Sequence, residues 1–366
     1  MRKGMFFAAT LFLAELFLSA SPAFAIDLSK ISFNGYVDVE YSTADNAEGN
    51  YNSSFHMHHL SFLLDVPITD KLSTYAHVEF DHGTNIGTSS VNKTGAPVGG
   101  GDLVVENAFI RYVSSDAVQF RVGRMLTPFG YYNEIHDATP TIISFAVPRA
   151  INNMEDRGGT TMFPRWNTGV GMLGTVLLGS STLDYIMYVG NGENPPGLND
   201  SESDANPNKA FGARVNFQPN ERMQIGASVY SGERAFQTTT IAPIQNGPHN
   251  TGGLLFALNG EKCSFLSEYA VSQEQGFTES AGYGQLTYRL LKRLSAYYRL
   301  EYSNPNQSVS DDAWVEHIAG LNFMPMNISN IVLKFELSDN IRGANNAAVT
   351  RDLIYKEARF AVTLFF

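Results

Sequence analysis

The 366-residue sequence predicts an all-β chain: a transmembrane antiparallel β-barrel of about 16 strands, with short periplasmic turns and longer extracellular loops. Three observations predict it. Apolar and polar residues alternate with a period of two along most of the chain, as side chains do on a strand with one greasy face. Tight polar turns alternate with longer polar loops. No stretch beyond residue 25 approaches the ~18 consecutive apolar residues that a spanning helix needs. Composition sets the outer bounds. Charged residues make up 17% and apolar residues 43%, too apolar for a disordered chain. The formal net charge of -11 excludes a nucleic-acid binder, which needs clustered Lys and Arg.

Met1 to Ala25 reads as an export signal. Arg2 and Lys3 form the basic start, Met5 to Leu18 the apolar stretch interrupted by Glu15, and Ala23-Phe24-Ala25 the small-x-small cleavage site. The mature chain is then expected to start at Ile26, with residues 26–366 forming the barrel. The single cysteine, Cys263, rules out an internal disulfide. An exported chain of this kind must draw its stability elsewhere, and a closed hydrogen-bonded sheet is one source.

The strands follow in order. Phe33, Val37, Val39 and Tyr41 oppose Asn34, Asp38 and Glu40. Leu60, Phe62, Leu64 and Val66 oppose His59, Ser61 and Asp65, and Thr74, Ala76, Val78 and Phe80 oppose His77, Glu79 and Asp81. The pattern recurs at 118–122, 183–189, 211–217, 225–229, 286–290, 294–302 and 331–337. It is weak at 170–178, 254–258 and 263–271. The last strand is the clearest. Ala358, Phe360, Val362, Leu364 and Phe366 share one parity against Glu357, Arg359, Ala361 and Thr363. Ending on Phe resembles the C-terminal strand that the outer-membrane assembly machinery recognises. Tight turns fall at 67–71, 114–117, 179–181, 219–222, 259–262, 291–293 and 325–330. Longer loops fall near 42–54, 82–102, 125–168, 192–208, 233–250, 273–279, 304–312 and 339–350. Seven short and eight long connections join sixteen strands, the layout of a bacterial outer-membrane barrel. Tyr41, Phe55, Phe80, Tyr112, Tyr269, Tyr302 and Phe366 suit interfacial aromatic girdles.

The stretch Val105-Glu106-Asn107-Ala108-Phe109-Ile110-Arg111-Tyr112, followed by Arg121-Val122-Gly123-Arg124-Met125-Leu126-Thr127-Pro128-Phe129-Gly130, resembles a strand pair of the phosphate-selective porin O and P family. The resemblance is specific around residues 105–130 and covers the rest in layout. It implies a sixteen-stranded channel, a homotrimer, and a third loop folded inward. Members that select phosphate carry an arginine ladder and a lysine-rich constriction. This chain has 25 Lys plus Arg and no basic cluster in its loops, so phosphate selectivity is not implied.

A sixteen-stranded barrel is wide enough for water, so its inward parity would line a pore. The cations there are Arg111, Arg121, Arg214, Arg289, Arg299, Lys334 and Arg359. The anions are Asp38, Glu40, Asp65, Glu79, Glu268, Glu301, Glu336 and Glu357. Seven against eight gives no clear selectivity, and pairing between neighbouring strands is the competing role for each. The 44-residue connection at 125–168 is far longer than a hairpin loop. It carries Glu134, His136, Asp137, Arg149, Glu155, Asp156, Arg157 and Arg165, with four prolines to fix its path. It is expected to fold into the lumen as a constriction; an outer lid is the alternative.

Three signals look like chemistry. Gly169-Val170-Gly171-Met172-Leu173-Gly174 has dinucleotide-binding spacing, but it runs into a strand and not a helix. His56 and His58 would share a face of a regular strand with His59 opposite, and no third metal ligand can be placed. These are read as rim histidines, with no metal or other cofactor expected. His136-Asp137 matches no catalytic arrangement. No Cys-x-x-Cys-His haem site is present, which argues against a redox sheath.

The functional expectation is a non-enzymatic porin of the Gram-negative outer membrane. It would pass small hydrophilic solutes or ions by diffusion, anions among them, with membrane lipid and lipopolysaccharide as surroundings. An outer-membrane hydrolase, or an adhesin or receptor barrel using its outer loops, are the alternatives.

Overall fold

The computed structural model describes residues 28–45, 51–81, 90–91, 97–98, 102–135, 141–152, 161–193, 208–236, 245–274, 276–325, 330–343 and 354–366. The expected export signal lies outside them. Among the described residues, eighteen strands follow in chain order. The first seven are β1 (Ser32–Asp45), β2 (Tyr51–Pro67), β3 (Leu72–Asp81), β4 (Ser90–Val91), β5 (Pro97–Val98), β6 (Asp102–Ser115) and β7 (Val118–Leu126). Then come β8 (Trp166–Leu178), β9 (Ser181–Gly190), β10 (Ala210–Asn220), β11 (Met223–Phe236) and β12 (Gln245–Asn259). The chain ends with β13 (Cys263–Glu274), β14 (Phe277–Leu291), β15 (Leu294–Asn304), β16 (Trp314–Phe323), β17 (Ile331–Arg342) and β18 (Ile354–Phe365). One helical turn, α1 (Arg149–Asn152), lies in the connection between β7 and β8.

Sixteen of the strands pair antiparallel with their chain neighbours and close into a barrel; β4 and β5 form a small separate hairpin. The seam joins β1 to β18, from Tyr36 opposite Phe365 to Asp45 opposite Lys356. The backbone N–H and C=O of Gly35 and Phe366 exchange two hydrogen bonds of 2.9 Å there. Closure leaves the barrel sheet without an open edge, which lipid requires because it offers no hydrogen-bond partners.

The alternation read from sequence sorts the two faces. Phe33, Ile110, Phe211, Val229 and Leu254 are exposed on the outside, Leu254 to 66%. Asp38, Glu40, Glu79, Arg299, Glu301 and Lys334 are buried on the inside. The three weakly patterned stretches are strands β8, β12 and β13. The glycine run at 169–174 lies within β8, so no helix N-terminus stands behind it.

Strands extend further at the loop end than the apolar pattern does: β1 reaches Asp45, β11 Phe236 and β17 Arg342. Ladder hydrogen bonds continue beyond the lipid-facing band, where both faces meet water and alternation is no longer required.

One local reading is corrected. Asp38 pairs with His59 and the next residue, Val39, with Met57, so His58 is the extra residue of a β-bulge. His58 and His59 therefore stand on the same side of the sheet, their ring centroids 3.8 Å apart. The His56 side chain lies outside the described parts.

The buried apolar cluster sits inside the barrel, around the β7–β8 connection. Phe129, Tyr132, Ile142, Val147, Ile151, Met162 and Phe163 pack with inward-facing Tyr188, Tyr230, Ala270, Ala281, Tyr283 and Trp314. A soluble β-protein would place such a core between two sheets.

Candidate functional site: the lumen and its long loop

The loop between β7 and β8 starts and ends at one point. Thr127 donates its N–H to the Arg165 carbonyl at 2.9 Å, and the Asn133 amide caps both the Thr127 and Arg165 carbonyls at 2.7 and 3.1 Å. Gly130 has φ of 61°, a left-handed turn that a side chain would strain. Phe129 stacks on Phe163 at 4.2 Å, joining the outgoing and returning arms.

The described loop residues pack on wall side chains that point into the barrel. Gly130 N–H donates to Ser228 of β11 at 3.0 Å, and Tyr131 N–H to the Glu268 carboxylate of β13 at 2.6 Å. Ala150 N–H, in the first turn of α1, donates to Glu301 of β15 at 2.7 Å. Phe145 N–H donates to Glu336 of β17 at 3.3 Å. Loop carbonyls accept in turn. Lys334 reaches the Ile142 and Ser144 carbonyls at 2.9 and 2.7 Å, and Arg299 reaches Ser144 Oγ at 2.9 Å and the Ala146 carbonyl at 3.2 Å. Arg234 and Thr251 hold the Thr161 and Met162 carbonyls on the returning arm.

These contacts answer a physical problem. A non-helical loop carries backbone groups that satisfy nothing on their own, and burying them without partners is costly. Wall carboxylates accept the loop's N–H groups while wall Lys and Arg donate to its carbonyls. Such charge-assisted bonds are worth more than neutral ones.

The structure divides the expected pore residues among several settings along the wall. Arg299, Lys334, Glu301 and Glu336 lie beneath the loop, each no more than 5% exposed, and their charge serves the loop and one another. Arg111 pairs with Asp65 at 2.9 Å, and each side chain is about one-third exposed. Arg121 and Arg214 both pair with Glu134 of the loop, and Arg121 also lies over the Phe109 ring. The two arginines line a cavity of ≈ 150 Å³ with Glu134, Asp184 and Asn216. Arg359 pairs with Glu357 at 2.6 Å and lies over Phe145, while Arg149 of the loop stands 3.7 Å from both Glu316 and Glu357. Arg289 is exposed at the short-turn end of β14. Asp38 and Glu79 belong to a buried cluster on β1–β3.

Of the other expected loop residues, Arg165 lies over the Trp166 ring. His136, Asp137, Glu155, Asp156 and Arg157 lie outside the described residues. Burial acts to raise the Glu134 carboxyl, but Arg214 and Arg121 outweigh it and hold the group below the usual carboxylate range.

Sequence reasoning missed the loop's apolar anchors. Phe129, Tyr131, Tyr132, Ile142, Ile143 and Phe145 form two dense apolar patches, a signal that was legible. A lid open to water would have no reason to carry them.

No family model matches the sequence, and no curated protein matches it. Solved structures do match. The anion-selective porin from Comamonas acidovorans aligns with a TM-score of 0.64 at 9% identity, covering 92% of this chain and 99% of that one. OmpF of Salmonella typhi, solved with daunomycin, aligns at 0.62 and 10% identity, covering 92% and 97%. The outer-membrane channel DcaP of Acinetobacter baumannii aligns at 0.57 and 12% identity, covering 92% and 97%. The chain has the fold of Gram-negative outer-membrane porins. These likenesses do not single out the phosphate-selective family.

Proposed function

We propose that this chain is an outer-membrane porin through which small hydrophilic solutes and ions diffuse passively, narrowed by the loop between β7 and β8. The observation that carries the reading is the set of paired charges by which the barrel wall receives that loop's backbone. A stoppered structural barrel has no need of charged groups left in contact with water, yet several remain so. Arg111 with Asp65, Arg121 and Arg214 with Glu134 and Asp184, and Arg149 and Arg359 with Glu357 keep partial exposure. Five arginines against four carboxylates make a weakly selective path, with a slight lean toward anions. One structural neighbour is an anion-selective porin, and another, OmpT of Vibrio cholerae, has been solved in a trimer form. Both are consistent with the reading, which includes a homotrimer in the outer membrane, lipopolysaccharide around it, and export through a signal cleaved after Ala25.

The test is transport by the purified chain. Liposomes containing it should swell in small neutral sugars and slow as the sugar grows, and a tenfold KCl gradient should give a small reversal potential on the anion side. Absence of swelling, or a potential close to the Nernst limit for potassium, would overturn the reading.

A further inference from the structure

We propose that Asp38, His58 and His59 form a binding site for a divalent transition-metal ion of the zinc class on the inner wall of the barrel. The local sequence does not predict such a site, because consecutive strand residues point to opposite faces. The bulge at His58 changes that, and bulges serve to re-aim side chains. It turns both imidazoles inward, toward the strand that carries Asp38.

The distances suit a metal. One ligand atom from each of the three residues lies within 4.8 Å of the others. His59 Nδ1 is 3.3 Å from Asp38 Oδ1 and His58 Nδ1 is 3.8 Å from Asp38 Oδ2. Ligand atoms around a tetrahedral zinc stand about 3.3 Å apart, so closing the set needs side-chain shifts of at most about 1.5 Å in any separation. Glu40, with Oε1 2.8 Å from His58 Nδ1, stands beside the three-residue set, which leaves the fourth position of a tetrahedral ion to water. Behind the ring, the Glu79 carboxylate stands 3.9 Å from His59 Nε2 and accepts from Tyr36 at 2.7 Å.

Ligand chemistry selects the ion. Two imidazoles with carboxylates suit zinc, copper or nickel; calcium and magnesium prefer all-oxygen sets. Charge points the same way. Asp38, Glu40 and Glu79 are each no more than 3% exposed, and Lys334 of β17 is a cation whose charge acts on Asp38 and Glu40. A dication would balance the remainder in place of protons on the two imidazoles. The His58 side chain retains 14% exposure, which leaves an approach for the ion.

The experiment uses the untagged chain folded in detergent, with zinc in equilibrium dialysis and copper(II) as a spectroscopic probe. One zinc should bind per chain, and the copper spectrum should carry nitrogen couplings from two imidazoles. His58→Gln, His59→Gln and Asp38→Asn should each weaken zinc binding about tenfold or more. His317→Gln should leave it unchanged, since that ring sits on the outer face against Tyr298. Heat-modifiable migration in gels reports folding of each variant, and His58→Gln, at the partly exposed bulge, decides the matter if the buried variants do not fold. No zinc on the parent chain, or binding that His58→Gln leaves intact, would overturn the proposal and leave the cluster as imidazole–carboxylate pairs. Solute transport by the zinc-free chain would be unaffected by that outcome.

Discussion

Replacing Arg299 by Met isolates what holds the loop inside the barrel. Arg299 is 1% exposed, and its guanidinium stands 2.7 Å from Glu301 and donates to Ser144 Oγ and the Ala146 carbonyl. Methionine keeps most of the stem volume but leaves the Glu301 carboxylate buried without its countercharge. Breaking one partner of a buried pair costs about 3–5 kcal/mol. The cost does not fall on the barrel, whose ladder hydrogen bonds are untouched, so it falls on loop docking. At about 1.4 kcal/mol per decade, the docked state loses roughly two to three and a half decades of preference over the undocked one. Single-channel recordings should then show larger or flickering conductance steps, and limited proteolysis should cut within 141–152 where the parent resists. Adding Glu301→Gln to Arg299→Met removes the stranded charge and should restore part of the parent behaviour, giving a positive coupling in a double-mutant cycle. Conductance and proteolysis both identical to the parent would refute the reasoning.

Further outcomes follow from single contacts. The Glu134 carboxyl is held below its usual range, so its tie to Arg121 and Arg214 is fully present above about pH 4.3 and is lost as pH falls through the lowered value. The Glu134 contribution to conductance, read as the difference between the parent and Glu134→Gln, should be constant from pH 7 to 5 and vanish in stronger acid. Arg121→Ala with Arg214→Ala leaves Glu134 and Asp184 facing the cavity, and the reversal potential in a KCl gradient should move toward cation preference. Gly123→Ala should lower the urea midpoint by an amount worth about 1–3 kcal/mol, because Gly123 has φ of 140° and an added Cβ would meet Phe109 Cα at 2.8 Å. Phe366 closes the seam through two backbone hydrogen bonds with Gly35, so its deletion should slow refolding into detergent more than Phe366→Ala does.

The strand parity at Asp38 and Glu40, at Arg299 and Glu301, and from Ala358 to Phe366 was enough to build the barrel, since lipid outside and polar groups inside enforce a period of two. Parity failed where the ladder slips. The bulge at His58 shifts one strand against its neighbour, and nothing in His-Met-His-His announces which residue is extra. Inward charges were also legible, but their use was not. Arg299, Lys334, Glu301 and Glu336 look like pore lining in sequence, yet three-dimensional packing lays loop backbone across them. That pairing spans more than 140 residues of chain, beyond the reach of any local pattern. The loop's length pointed inward, and the apolar run around Phe129 and Ile142 was the further hint that it is built to be buried.

Planar-bilayer recording of the unaltered chain tests the central claim most directly, namely that water and ions pass between the wall and its docked loop. Discrete, ohmic conductance steps that grow when residues 141–152 are deleted are the expected result. A folded, inserted barrel that gives no steps until that segment is removed would contradict it.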